Sequence, residues 1–227
     1  MKGNKQVSLI FDKAASLYLK NSNDYTLNRR FSAASHHISG RVLDVGGASG
    51  LFISAITENE NSYMLDISFN MCREAKNNFK VKSVCADSEM MPFNNNSFDS
   101  IVSLEMIYYL DSPRNFISEC DRLLVDNGTL VLSFFNPNLH FLTVIRRMLR
   151  RLGIKNMFFD DGDPRSISIE VLRDYIDDTN LQISSVNRII LIPFKKFDRI
   201  NKILESSILS RLTLFNIVVL NKINKNV

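Results

Sequence analysis

Apolar residues fall in short blocks along the chain, and their spacing changes from one block to the next. From residue 12 to 39 the spacing is helical, with a break near Asn21–Asp24 and a second helix through Arg29, Arg30 and Phe31 to Ile38. Gly40 reads as the terminator of that helix. Arg41–Val45 is a short apolar run halted by glycines, which predicts a buried strand. A helix is predicted from Gly50 to Thr57, a strand over Ser62–Leu65, and a helix over Ser68–Phe79 capped by Ser68. Val81–Ala86 and Phe98–Ser103 read as strands. Ser112–Val125 is an amphipathic helix with Phe116, Cys120, Leu123 and Leu124 on one face, stopped by Asn127-Gly128. Thr129–Phe135 is a fifth strand.

Strand and helix in alternation predict a doubly wound, mostly parallel α/β sheet with helices on both faces. Past Pro137 the rhythm changes. Leu139–Leu152 is apolar and arginine-rich, Ser168–Asp177 is a capped helix, and Leu181–Ile192 and Thr213–Lys222 are extended runs separated by an amphipathic stretch at Phe197–Leu209. Those two runs are expected to close the sheet with an antiparallel edge. The chain is therefore expected to be one domain over 1–227, with cap helices over 1–40, a ligand-binding core over 41–137, an insertion and helix over 138–180, and closing strands over 181–227.

Composition narrows the class. With 45% hydrophobic and 23% charged residues among 227, the chain has the make-up of a globular protein, not of a disordered or disulfide-built one. The net charge of +4 is too small to argue for nucleic acid, but it is uneven: −2 over residues 1–137 and +6 over 138–227. Three cysteines, Cys72, Cys85 and Cys120, lack metal-ligand spacing, so reduced thiols in a cytoplasmic protein and no metal site are expected. The first residues do not read as a signal peptide, because Asp12 and Lys13 break their apolar stretch. The longest apolar runs, Ile189–Phe194 and Leu214–Leu220, fall short of the roughly 20 residues of a membrane span.

The chemistry gathers around Asp44-Val45-Gly46-Gly47-Ala48-Ser49-Gly50. Glycines between a buried strand and a helix let a ligand approach the backbone, and Gly50 lets the helix pack closely on the sheet. Such turns also occur for purely structural reasons. Asp66, closing the second strand about 20 residues on, is placed to accept the hydroxyls of a ribose. Asp87, closing the third, is placed to accept from an adenine amino group. Any one of the three aspartates also reads as a helix cap or a solvated residue; all three in register with a glycine loop point to a ligand site at the carboxyl edge. The G-x-G-x-x-G spacing of a nicotinamide site fails, since position 45 is Val, and no Gly-Lys-Ser/Thr follows for a P-loop.

The chain resembles the class I S-adenosylmethionine-dependent methyltransferases, in particular the small-molecule branch known as methyltransferase type 11. Asp44–Gly50 is similar to that family's D/E-x-G-x-G-x-G motif with Ala48 in place of the middle glycine, and Leu65-Asp66-Ile67-Ser68 to its ribose motif. Ala86-Asp87-Ser88 with Met91-Pro92-Phe93 and Ser97-Phe98-Asp99 resembles the third motif. Ser103–Leu110 resembles the segment after strand four, with Tyr109 where many members have His, and Leu124–Pro137 the fifth strand. The resemblance implies S-adenosylmethionine as cofactor and S-adenosylhomocysteine as product. It implies contacts from Asp44, Gly46, Gly47, Ala48, Gly50, Asp66, Ile67, Asp87 and Ser88, with Leu104 near the methionine moiety. Tyr18 and Arg30 would close over the cofactor, Arg30 pairing with its carboxylate.

Methyl transfer from a sulfonium is an in-line displacement, so alignment and exclusion of water matter most, and a base is needed only where the acceptor must lose a proton. His140, after strand five, is the candidate base, set against a plain loop histidine; His36 and His37 read as surface or packing residues. The N/D-P-P-Y/F motif of nucleic-acid amino-methyltransferases and the Pro-Cys of cytosine-5 enzymes are both missing. A small-molecule acceptor, sugar-, lipid- or phosphate-linked, is expected, with no nucleic-acid partner. The arginine segment 139–152 has three readings: a lid packed over the acceptor, which is favoured, a contact with an anionic membrane, or a grip on a phosphate. A non-catalytic scaffold retaining the cofactor fold is the alternative from another class, and a nicotinamide oxidoreductase a more distant one.

Overall fold

The computed structural model describes residues 4–18, 25–56, 62–137, 167–190, 192 and 194–224. Two helices, α1 (Asn4–Tyr18) and α2 (Tyr25–Ser35), precede strand β1 (Val42–Val45). Alternation follows: α3 (Leu51–Ile56), β2 (Tyr63–Asp66), α4 (Phe69–Phe79), β3 (Lys82–Cys85), β4 (Phe98–Leu104), α5 (Pro113–Leu123) and β5 (Leu124–Phe135). The described chain resumes with α6 (Ile169–Ile176), β6 (Leu181–Ile189), α7 (Asp198–Glu205) and β7 (Phe215–Lys222).

The seven strands form one sheet in the order β3-β2-β1-β4-β5-β7-β6. Strands β1 to β5 pair in parallel. β7 runs antiparallel to both β5 and β6, so the two closing strands make the antiparallel end anticipated from their sequence, with β6 outermost. The chain reverses its direction of travel across the sheet between β1 and β4. Open α/β sheets bind ligands at such a switch point, beyond the carboxyl ends of the strands.

Period-two alternation accounts for the two-sided core. Leu43, Val45, Ile101, Leu130, Leu132, Val218 and Leu220 cover one face, against Phe116, Ile117, Cys120 and Leu123 of α5 and Leu172 of α6. The residues between them, Val42, Met64, Val102, Val131 and Ile217, cover the other face against Ala34, Phe52, Ile53, Cys72 and Ala75. Helix starts follow local hydrogen bonding: the hydroxyls of Ser68, Ser112 and Ser168 accept from the N–H groups of Met71, Asn115 and Val171.

Two punctuation residues act differently from their sequence reading. α2 ends at Ser35, so Gly40 does not cap it; Gly40 sits at φ +70°, and a Cβ there would meet the Asp99 side chain at 2.5 Å. Asn127 (φ +62°) does not stop α5, which ends at Leu123. It lies inside β5, where pairing with β4 slips between Phe98↔Leu124 and Ser100↔Thr129. The arginine segment 139–152 and His140 lie outside the described residues. No helix among the described residues is long and apolar enough to cross a membrane.

Candidate functional site

The turn from β1 into α3 requires left-handed backbone at three positions: Gly46 (φ +73°), Ala48 (φ +50°) and Gly50 (φ +77°). At Gly50 the glycine is needed twice over, since a Cβ would come within 2.8 Å of Ala75 on α4. At Gly46 a Cβ would meet Met106 at 2.5 Å, and at Gly47 it would meet Met64 and the Asp44 carboxylate. Ala48 takes the same left-handed conformation with a Cβ, at a cost of about 1–2 kcal/mol.

Asp66 organises this turn. Its Oδ2 accepts from the Ala48 N–H (3.0 Å) and its Oδ1 from the Ser68 N–H (2.8 Å). Gly46 N–H donates to Leu65 O at 2.7 Å, binding the loop to the end of β2. Burial pushes the Asp66 carboxyl up to about 6, although the N–H groups of Ser68 and Ala48 pull it down. Asp44 is more strongly affected: burial, reinforced by the nearby Asp66, pushes its carboxyl up to about 8. Its Oδ2 is buried and has no hydrogen-bond partner among the described residues. Asp87, just beyond β3, accepts from the Glu89 N–H at 2.9 Å and from Asn4 Nδ2 at 2.5 Å. Ser88 beside it is buried.

Helix α1 lies across this edge through polar residues that its helical periodicity alone did not mark. Besides Asn4 on Asp87, Ser8 Oγ donates to Ile67 O at 3.2 Å. Asp12 Oδ1 accepts from Ser68 Oγ (2.6 Å) and from the Asn70 N–H (3.0 Å). A polar residue every fourth position, 4, 8 and 12, was the available signal.

The turn after β4 adds a second cluster. Glu105 (φ +60°) accepts from Tyr108 Oη and from Ser133 Oγ, both at 2.7 Å, and pairs with Arg30 of α2 at 3.8 Å. Burial, and then the adjacent Glu105 carboxylate, hold the Tyr108 phenol protonated as a donor. Arg30 also stacks on the Phe215 ring, 4.7 Å from its centroid. The guanidinium expected to meet a cofactor carboxylate thus lies against a protein carboxylate. Leu104 ends β4, and Tyr109 packs edge-on against Phe11 at 5.3 Å. Tyr18 ends α1, and its side chain lies outside the described residues. The three cysteines are free thiols.

Residues 43–132, which hold the glycine loop, Asp66, Asp87 and Glu105, match the family model of a methyltransferase domain. That match, with the likeness in fold given below, supports a class I S-adenosylmethionine-dependent methyltransferase of the type 11 branch. The chain is 24% identical over 199 residues to an uncharacterized protein of Methanocaldococcus jannaschii, covering 86% of this chain and 90% of that one. It is 27% identical over 138 residues to the malonyl-[acyl-carrier protein] O-methyltransferase of a Marinomonas species, covering 57% of this chain and 51% of that one. In fold it is similar to a SAM-dependent methyltransferase of Thermotoga maritima, with a TM-score of 0.66 at 16% identity over 95% of this chain and 99% of that one. The family's methyl donor is S-adenosylmethionine.

Two consequences of this loop are measurable. Folded Asp44 keeps its proton up to about 8, whereas the unfolded chain releases it near 3.8. Its stabilising contribution is therefore complete at low pH and is lost as the pH rises through this window, and Asp66, raised to about 6, acts in the same direction. Melting followed by circular dichroism from about pH 5 to about pH 8 should show the wild type losing stability with rising pH and Asp44→Asn losing less. Parallel profiles for the two proteins would contradict the raised value. Ala48→Gly should raise the unfolding free energy by up to about 1 kcal/mol, the left-handed cost less the extra freedom of unfolded glycine. A lower denaturant midpoint for that variant would contradict the assigned conformation.

Proposed function

We propose that this chain binds S-adenosylmethionine across the Gly46–Gly50 loop and transfers its methyl group to an oxygen or nitrogen of a small-molecule acceptor. The observation that carries the reading is the buried Asp66 carboxylate, which holds the loop and the start of α4 through one N–H on each oxygen. A carboxylate has about four acceptor positions, so lone pairs remain for two ribose hydroxyls. Asp44 fits the same ligand: its buried, unpaired Oδ2 lies under Gly47, where a cationic ligand would favour the ionised form. Asp87 and Ser88 stand where the adenine end would lie, and Leu104 by the methionine end.

When bound, the cofactor supplies a methyl group already activated by a positive sulfur. The protein's part is to orient acceptor and donor and to exclude water. Met106, packed against Gly46, and the Glu105–Tyr108–Ser133 cluster fix the turn after β4 beside the loop. Any base is left to the acceptor's chemistry; His140 keeps that role as a proposal from sequence. The O-methylating Marinomonas relative supports an oxygen acceptor.

Calorimetry with S-adenosylmethionine and S-adenosylhomocysteine tests the assignment. Asp66→Asn keeps one oxygen and the shape but loses the charge, so it should weaken binding by about 1–3 kcal/mol, the range for a charged hydrogen bond. Wild-type protein that ignores both compounds, or binds NAD instead, would end the reading. Unchanged affinity in Asp66→Asn would move the ribose elsewhere. Cofactor binding with no methylated product across a broad metabolite and lipid extract would favour the scaffold alternative.

A further inference from the structure

The connection from β6 to β7 crosses the carboxyl edge of the sheet, and it carries the densest group of solvent-facing apolar side chains in the described structure. Phe194, Ile200, Ile203, Ile208, Leu209 and Leu212 are 42–79% exposed. Loose attachment does not explain this exposure, because the inner side of the segment is pinned by polar contacts. Asn201 is fully buried; its side chain accepts from the Ile192 N–H (2.9 Å) and donates to Ile192 O (2.8 Å) and to Tyr25 Oη (3.0 Å). Glu205 accepts from the Ile190 N–H and from Arg29, both at 2.7 Å, and Asn136 Nδ2 donates to Arg211 O and Thr213 O. With Asn201 and Glu205 turned inward, α7 turns Ile200 and Ile203 outward.

Cations share that outward side. Lys195, Lys196, Arg199, Lys202 and Arg211 are all exposed and alternate with the apolar residues, whereas the segment's two acids are engaged, Glu205 by Arg29 and Asp198 by Lys202 and Tyr25. An open cleft of about 780 Å³ lies between α2 and this segment, with Asn28 and Arg29 on one side and Lys195, Lys196 and Arg199 on the other. It is separate from the glycine-loop site. A second copy would set this basic segment against itself, and a protein partner would need a carboxylate placed opposite each cation as well as an apolar face. An anionic bilayer satisfies both sets at once, isoleucine and phenylalanine side chains entering the acyl boundary and ammonium and guanidinium groups meeting lipid phosphates.

We propose that residues 194–212 form an interfacial docking surface for an anionic phospholipid bilayer, setting the carboxyl edge of the sheet beside the lipid. This surface differs from the arginine segment 139–152 singled out in the sequence, and the inference does not depend on the cofactor assignment. Flotation of the full chain with phosphatidylglycerol/phosphatidylcholine vesicles and with phosphatidylcholine alone, at low and high salt, tests it. Wild type should float with the anionic vesicles at low salt and bind at least about tenfold less at high salt or without phosphatidylglycerol. Ile203→Asp with Ile208→Asp, and separately Lys195→Glu with Lys196→Glu and Arg199→Glu, should each reduce binding at least about tenfold without lowering the melting temperature, since these side chains are exposed. Wild type left wholly in the soluble fraction at low salt, or either variant floating like wild type, would overturn the proposal. So would a concentration-dependent dimer abolished by the isoleucine changes, which would make a second copy the occupant.

Discussion

A buried carboxylate joins the parts of this site that the chain order keeps apart. Asp66 receives the N–H of Ala48 from the glycine loop and the N–H of Ser68 from the start of α4. Ser68 caps α4 with the same hydroxyl that donates to Asp12 on α1. Loop, helix start and covering helix therefore meet within one chain of hydrogen bonds, Asp66–Ser68–Asp12. Burial acts against that charge and raises the carboxyl to about 6, while the N–H groups of Ser68, Ala48 and Ile67 act for it. Asp44, which lacks such donors, is raised further, to about 8. Two neighbouring aspartates thus have different electrostatic states, set by how many backbone N–H groups each receives.

The sheet was legible because its central strands are buried on both faces and each connection carries its own punctuation. The runs at Arg41–Val45, Ser62–Leu65 and Val81–Ala86 differ from the observed strands by a residue or so. Asp44, Asp66 and Asp87 were legible as a set, because parallel strands in register place their ends along one edge. The cover over that edge was not. Asn4, Ser8 and Asp12 reach partners 56 to 83 residues away, and helical periodicity predicts a helix without saying where it docks. Glu105 at φ +60° gave no signal either, since its conformation is held by Ser133 on the next strand. Gly40 and Asn127 misled for a related reason: both meet local backbone needs that look like helix stops in sequence.

Three elements converge on the carboxyl edge, each held in part by polar contacts. α1 is held by Asn4, Ser8 and Asp12, α2 by Arg29 and Arg30, and the β6–β7 connection by Asn201 and Glu205. α1 also buries Val7 and Ala15, and α2 buries Ala34 and packs Phe31 against Phe52, so apolar contacts share in seating both helices.

A crystal structure of the chain with S-adenosylhomocysteine tests the central claim most directly. The account predicts both ribose hydroxyls within hydrogen-bonding distance of the Asp66 carboxylate, the adenine beside Asp87 and Ser88, and the Ala48 and Ser68 N–H groups still on Asp66. A ribose bound away from Asp66, or a ligand seated in the cleft between α2 and Lys195–Arg199 while the glycine loop stays bare, would contradict it.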